Sequence, residues 1–425
     1  MPAAEPPAPS TTPSDLAAGA ASSAESADRG DGIYTGTFWM AYAANMMLVA
    51  ANTMSYRFAD FVKFLGRSEE ATGWIVNLSL IGALLSRLVM GAAMDRFGIG
   101  RVWAAGSLCF TCGALLFLTV DDVGVTIVVA RFLFVLGLAV MFVGSNAHIQ
   151  TRVPAHRRTE AIGSLGSSGF VGMISGAQLE TLLRRTIPDV GDFFEALFSI
   201  AAGVGLAYLA LVWLLTRDDD PQRPEETPLA YTLTRRYWPG PVMLVALLMG
   251  MGFAVTTVFL TRYAQTLGIE NGFRLFFSSY AIAAFSFRIV SRTWSRWLGR
   301  NRMILLGLSG QVAAYLLLIP VTKGWHFIPA GLATGFAHAL LFPSVVSLGS
   351  GSYPEQYRGT GTTVILGFIE LGTFLASPLF GLLILKLGFN AMFLTAMTTT
   401  VVLMVVYWRR TRYVPDLDLV ASRDS

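Results

Sequence analysis

Between residues 36 and 408, apolar stretches of about 18–25 residues recur twelve times. Each matches the roughly 20 residues that a helix needs to cross about 30 Å of hydrocarbon. Within lipid every backbone N–H and C=O must be satisfied inside the segment, so runs of this length specify helices. The rest of the composition agrees. Hydrophobic residues make up 54% of the 425-residue chain and charged residues only 14%, against about 25% charged in soluble domains. The formal net charge of +4 comes mostly from arginines in short loops, a topology signal rather than a nucleic-acid surface. The expected fold is an all-α integral membrane protein of twelve transmembrane helices.

The stretches lie near 36–58, 70–92, 102–120, 123–145, 159–182 and 193–215, then near 241–263, 273–291, 302–320, 325–349, 359–383 and 388–408. Between the two groups of six runs the polar segment "TRDDDPQRPEETPLAYTLTRRYW", whose Pro and charge content marks a connector. The expected organisation is a disordered tail over 1–35, a six-helix bundle over 36–216, a connector over 217–238, a second bundle over 239–408 and a tail over 409–425. The Ala-, Pro- and Ser-rich start carries neither a basic region nor an apolar core, unlike a signal peptide. Arg96, Arg101, Arg152, Arg157, Arg158, Arg292, Arg296, Arg300, Arg302 and Arg358 collect on one side, with the connector and both tails. The positive-inside rule assigns that side, and so both termini, to the cytoplasm. A plasma or inner membrane is expected.

The second six helices repeat the first. Pro154 and Pro354 are 200 residues apart, as are Arg158 and Arg358; Arg87, Gly98 and Arg101 have counterparts 201 residues on at Arg288, Gly299 and Arg302. "FVKFLG" ends at Gly66 and "YAQTLG" at Gly268. A six-helix unit written twice in parallel places a solute site between its copies, near the bilayer midplane.

After the second stretch comes "GAAMDRFGIGR", with Gly91, Asp95, Arg96, Gly98 and Arg101. With its flanks it resembles the loop signature G-x-x-x-D-R-x-G-R-[RK] of the major facilitator superfamily, one basic position being delayed by Ile99 and Gly100. "RFLFVLGLA" from Arg131 resembles that family's fourth-helix pattern, keeping Arg131 and Gly137. The fifth stretch has glycines at 163, 166, 169, 172 and 176 but lacks the Gly-Pro pair that marks many exporters of the family. The resemblance covers residues 36 to 410. It implies alternating access, with Asp95, Arg96 and Arg101 latching the two halves on the cytoplasmic side. Arg296 stands where the second copy would carry Asp95, so the latch is expected to be asymmetric and stronger from the first half.

Ionisable residues inside spans are costly and mark pathways. Glu370, near the middle of the eleventh stretch, is the expected proton-linked carboxylate, and Arg131 its cationic partner or an anion contact. Asn45 and Asn52, seven apart on one helix face, together with Gln178, Tyr280 and His338, are expected to line the path; Asn77 is a further candidate. Arg87 and Arg288 are expected to anchor helix ends, and Pro343 and Pro378 to bend the helices that move. Cys109 and Cys112 read as packing residues. No metal-ligand cluster, P-loop or nucleophile motif is present, so no metal, cofactor or enzymatic activity is expected. The expectation is a monomeric secondary transporter of a small organic solute, driven by protons, with an organic anion favoured as substrate. The rival is a proton-driven exporter of amphipathic drugs or metabolites. A different class is a non-transporting membrane sensor or assembly factor on the same bundle.

Overall fold

The computed structural model describes residues 33–66, 69–219, 224–269 and 271–413. The expected disordered tail over 1–32 lies outside them, as does the side chain of Asn77. Helices dominate and no strand occurs among the described residues.

Among the described residues, twelve long helices follow the twelve apolar stretches. They are α1 (Gly36–Met54), α2 (Glu69–Phe97), α3 (Ile99–Phe117), α4 (Val125–Thr151), α5 (Arg158–Thr186) and α6 (Val190–Thr216). The second set is α7 (Val242–Thr266), α8 (Gly272–Val290), α9 (Arg300–Leu318) and α10 (Phe327–Gly351), then α11 (358–387) and α12 (389–411). Among the described residues eight helices are apolar and long enough to cross a membrane, α11 and α12 counting as one because Gly388 (φ 80°) only kinks them. α1, α2 and α5 fall outside that count; asparagines lower the hydropathy of α1, and Gly/Ser content lowers that of α5. Apolar side chains such as Val89, Ile282, Phe374 and Leu385 stand exposed along the bundle, as lipid-facing residues do.

Local signals set the helix ends. The Thr35 hydroxyl accepts from the Phe38 N–H (3.3 Å) at the start of α1, and Asp189 accepts from the Asp192 N–H (3.0 Å) at the start of α6. Gly98 and Gly299, 201 residues apart, turn the chain between α2 and α3 and between α8 and α9 with φ of 92° and 84°. A side chain is strained there, which explains glycine at both. Pro343 lies inside α10 and Pro378 inside α11, and α7 widens to a π-turn over Ala254–Phe259.

Within each half, α3 packs on α4 and α6, α1 on α5, α9 on α10 and α7 on α11. Between halves, α2 packs on α11 and α5 on α8 and α10. The first two of these pairings exchange under a shift of six helices, the signature of a pseudo-twofold axis. The ends of the described chain and the connector share one face, called here the connector face. In the connector, Ala230–Arg236 forms a short helix whose Leu233 is buried against Tyr353 and Tyr357, beside α11.

Candidate functional site

The groups of interest lie where the halves meet. At the connector face, Asp95 ends α2 and is 6% exposed. It accepts from the Thr360 N–H (3.2 Å) and the Thr360 hydroxyl (2.5 Å) at the first turn of α11. A carboxylate at a helix N-terminus meets unsatisfied N–H groups and the positive end of the helix dipole. Gly91 admits this approach, since a Cβ on it would stand 2.6 Å from the Thr360 Cα. Arg96 and Arg101 do not join Asp95: both are exposed, with Arg96 over the ring of Phe97 (5.4 Å). They follow Asp95 on the solvent side of the turn.

The second half carries its own latch, contrary to the expected weak copy. Arg296 pairs with Glu160, which starts α5 and is 2% exposed. Arg296 follows Asp95 by 201 residues and Thr360 follows Glu160 by 200, so the two junctions are equivalent. Their polarity is reversed: the acid sits on α2 in one and on α5 in the other. Tyr34 and Arg157 also reach Glu160, at 3.3 and 3.4 Å. Between the latches, Gln150 meets the Ser350 hydroxyl, its own counterpart 200 residues on, and the Thr362 hydroxyl at 3.2 Å. These contacts join the two halves at the connector face. Sequence reading missed Glu160, Gln150 and Ser350; aligning the copies at 200 residues is the signal that finds them.

Deeper in, Glu370 forms a two-pronged ion pair with Arg87, whose Nε donates to Oε2 at 2.6 Å. The pair joins α2 to α11, across the halves. Arg87, not Arg131, is therefore the cation at Glu370, and Arg87 does not anchor a helix end. The reason is length: α2 runs on to Phe97, beyond its apolar stretch, and carries Arg87 well inside the bundle. Glu370 is not buried as expected; its side chain is 47% exposed, against 7% for Arg87.

Arg131 lies near the other end of α4, its guanidinium 4.3 Å from the ring centre of Phe58. Arg288 takes the place equivalent to Arg87, but among the described residues no carboxylate pairs with it. It is 4% exposed, with the rings of Phe170 (5.1 Å) and Phe342 (5.5 Å) near its guanidinium. Tyr280 and His338 are brought together: the hydroxyl meets Nδ1, and the rings stack at 5.8 Å beside Phe170. Asn45 does not line a path: it is 4% exposed and donates to Ser168 (2.8 Å) and the Leu165 carbonyl (3.4 Å), pinning α1 to α5. Asn52 is half-buried on α1 and Gln178 is exposed on α5, neither joined to the groups above. No cluster with metal-ligand character occurs among the described residues.

Comparison with known proteins agrees with this architecture. The chain is 23% identical over 366 residues to YhhS of Escherichia coli (strain K12), an uncharacterized MFS-type transporter, covering 83% of this chain and 86% of that one. It is 26% identical over 345 residues to an uncharacterized MFS-type transporter of Pseudomonas aeruginosa, covering 78% and 82%. Among solved structures, the human organic anion transporter MFSD10 matches with a TM-score of 0.73 at 13% identity, covering 87% of this chain and 98% of that one. The proton:xylose symporter XylE matches with a TM-score of 0.71 at 15% identity, covering 91% and 98%. The model of the Major Facilitator Superfamily matches residues 33–365. With its twelve helices, its paired halves and that match over most of its length, the chain belongs to the Major Facilitator Superfamily and is a multi-pass membrane transporter.

Proposed function

We propose that this transporter moves a small organic anion by proton-coupled alternating access, with its connector face and both termini in the cytoplasm of a bacterial cell. The observation that carries the proposal is the Arg87–Glu370 pair across the halves. The closed pair sets a carboxylate against a guanidinium. A proton on Glu370 removes one charge and leaves Arg87 without its counter-ion. That weakens the α2–α11 junction, on the helices that also carry the Asp95 latch. Protonation thereby favours parting of the halves, and deprotonation favours closure. The half-exposed carboxylate supports this role, because a proton must reach it. MFSD10 and XylE, described as an organic anion transporter and a proton symporter, share the fold and are consistent with it.

The test uses protein in liposomes and radiolabelled hippurate, an aromatic carboxylate that crosses bilayers slowly. An imposed ΔpH is expected to speed uptake several-fold in the wild type. Glu370→Gln is expected to transport at one rate with or without the gradient. Unchanged ΔpH dependence in the variant would remove Glu370 from the coupling. Wild-type uptake indifferent to ΔpH would remove protons from the mechanism, and no uptake would remove the anion preference.

A further inference from the structure

Among the described residues, Arg288 is a buried cation with no anion paired to it. Its equivalent, Arg87, lies 201 residues earlier and is neutralised by Glu370; the position 200 residues before Glu370 holds Phe170. Arg288 is 4% exposed, and among the described residues no hydrogen bond or ion pair reaches it; its Nε is enclosed without an acceptor. Burying an unpaired guanidinium is expensive in any low-dielectric setting. The surroundings are shaped for it all the same. Gly166 on α5 leaves the space that Nη1 occupies, where any Cβ would collide with it. The rings of Phe170 and Phe342 take up cation–π positions near the guanidinium, which offset part of the desolvation cost but accept none of its in-plane N–H donors.

We infer that the counter-charge missing at Arg288 is brought by the transported solute, a carboxylate attached to a flat apolar or aromatic body. The proposal rests on the transporter reading above and names its substrate class. A carboxylate fits the in-plane donors bidentately, and an aromatic body fits the Phe170, Phe342, Tyr280 and His338 rings, which adjoin one another beside Arg288. In the closed arrangement α5 packs against α8 at this point, so the solute gains access to Arg288 as those helices part. It therefore binds the form open at the connector face better than the closed form and shifts the equilibrium toward it.

The test needs no gradient, so it is independent of proton coupling at Glu370. Ser350, buried at the junction between halves, is replaced by Cys in a Cys109→Ser, Cys112→Ser background, and maleimide labelling from the connector face is timed. Hippurate is expected to raise the rate several-fold, whereas its neutral amide leaves it unchanged. Arg288→Gln should abolish the response, and Arg288→Lys should keep part of it. Phe170→Glu restores the symmetric acid and should also abolish the response while slowing labelling in the absence of ligand. A hippurate response that survives Arg288→Gln in full, or an equal response to the amide, overturns the assignment. So does no response in wild-type Arg288 protein that labels normally. Failure of ΔpH coupling alongside an intact Arg288-dependent response would refute the coupling reading and leave this one standing.

Discussion

Glu370 and Arg87 are unequal partners, and the inequality is measurable. Glu370 keeps half of its side chain in contact with solvent-accessible space, while Arg87 is almost wholly enclosed. Removing the arginine leaves a carboxylate that water can solvate, a loss in the range of about 0–1 kcal/mol for exposed pairs. Removing the acid strands a guanidinium in the interior, which costs about 3–5 kcal/mol for a buried pair broken on one side. Glu370→Leu should therefore melt at a clearly lower temperature than Arg87→Leu in the same detergent. Equal melting temperatures would mean that Arg87 finds a second partner or water. The same asymmetry explains a limit of sequence reading. Glu370 stood out as a charge in an apolar run, but nothing in the run says which neighbouring helix it faces. Phe170 gives no signal of its own; it becomes informative only when a 200-residue register sets it beneath Glu370.

At the scale of helices, the twelve spans and the turn after α2 were legible because each follows from hydropathy or glycine placement. Two things were not. Helix lengths exceeded the apolar runs, since α2 and α4 continue past their apolar cores to Phe97 and Thr151; this moved Arg87 from an apparent helix end into the bundle. Interhelical partners were hidden as well, because periodicity gives a face but not its neighbour. Glycines separate two mechanisms here. Gly98 and Gly299 are required by their positive φ and extended ψ, so alanine at either should cost about 1–3 kcal/mol and lower the melting temperature without favouring either conformation. Gly91 is required by space, with Thr360 backbone at its Cβ position. Gly91→Val should wedge α2 from α11 and raise labelling at Ser350→Cys several-fold. Similar labelling in Gly91→Val and Gly98→Ala would show that the close approach does not hold the junction.

Across the whole molecule, the pseudo-twofold axis relates two latches that are chemically inverted. Asp95 on α2 grips the start of α11, and Arg296 after α8 grips Glu160 at the start of α5. Gln150 and Ser350 meet between them. In the proposed cycle both latches resist one motion, the parting of the halves at the connector face, and they share no side chain. Their free energies should therefore add. Hydrogen bonds to charged groups contribute about 1.5–3 kcal/mol, and about 1.4 kcal/mol changes a two-state ratio tenfold. Asp95→Asn and Glu160→Gln should each raise the open fraction by about tenfold or more, and the double variant by about the product, on the order of a hundredfold or more until the open form saturates. Maleimide labelling at Ser350→Cys reads that fraction for all four proteins. Salt adds a second readout. The Arg296 side chain is 37% exposed and Asp95 is buried, so raised ionic strength should weaken the Glu160 latch more. Labelling should then rise with salt in Asp95→Asn, where only the Glu160 latch remains, and change less in Glu160→Gln. A double variant no more open than either single one would mean that the two junctions open as one unit.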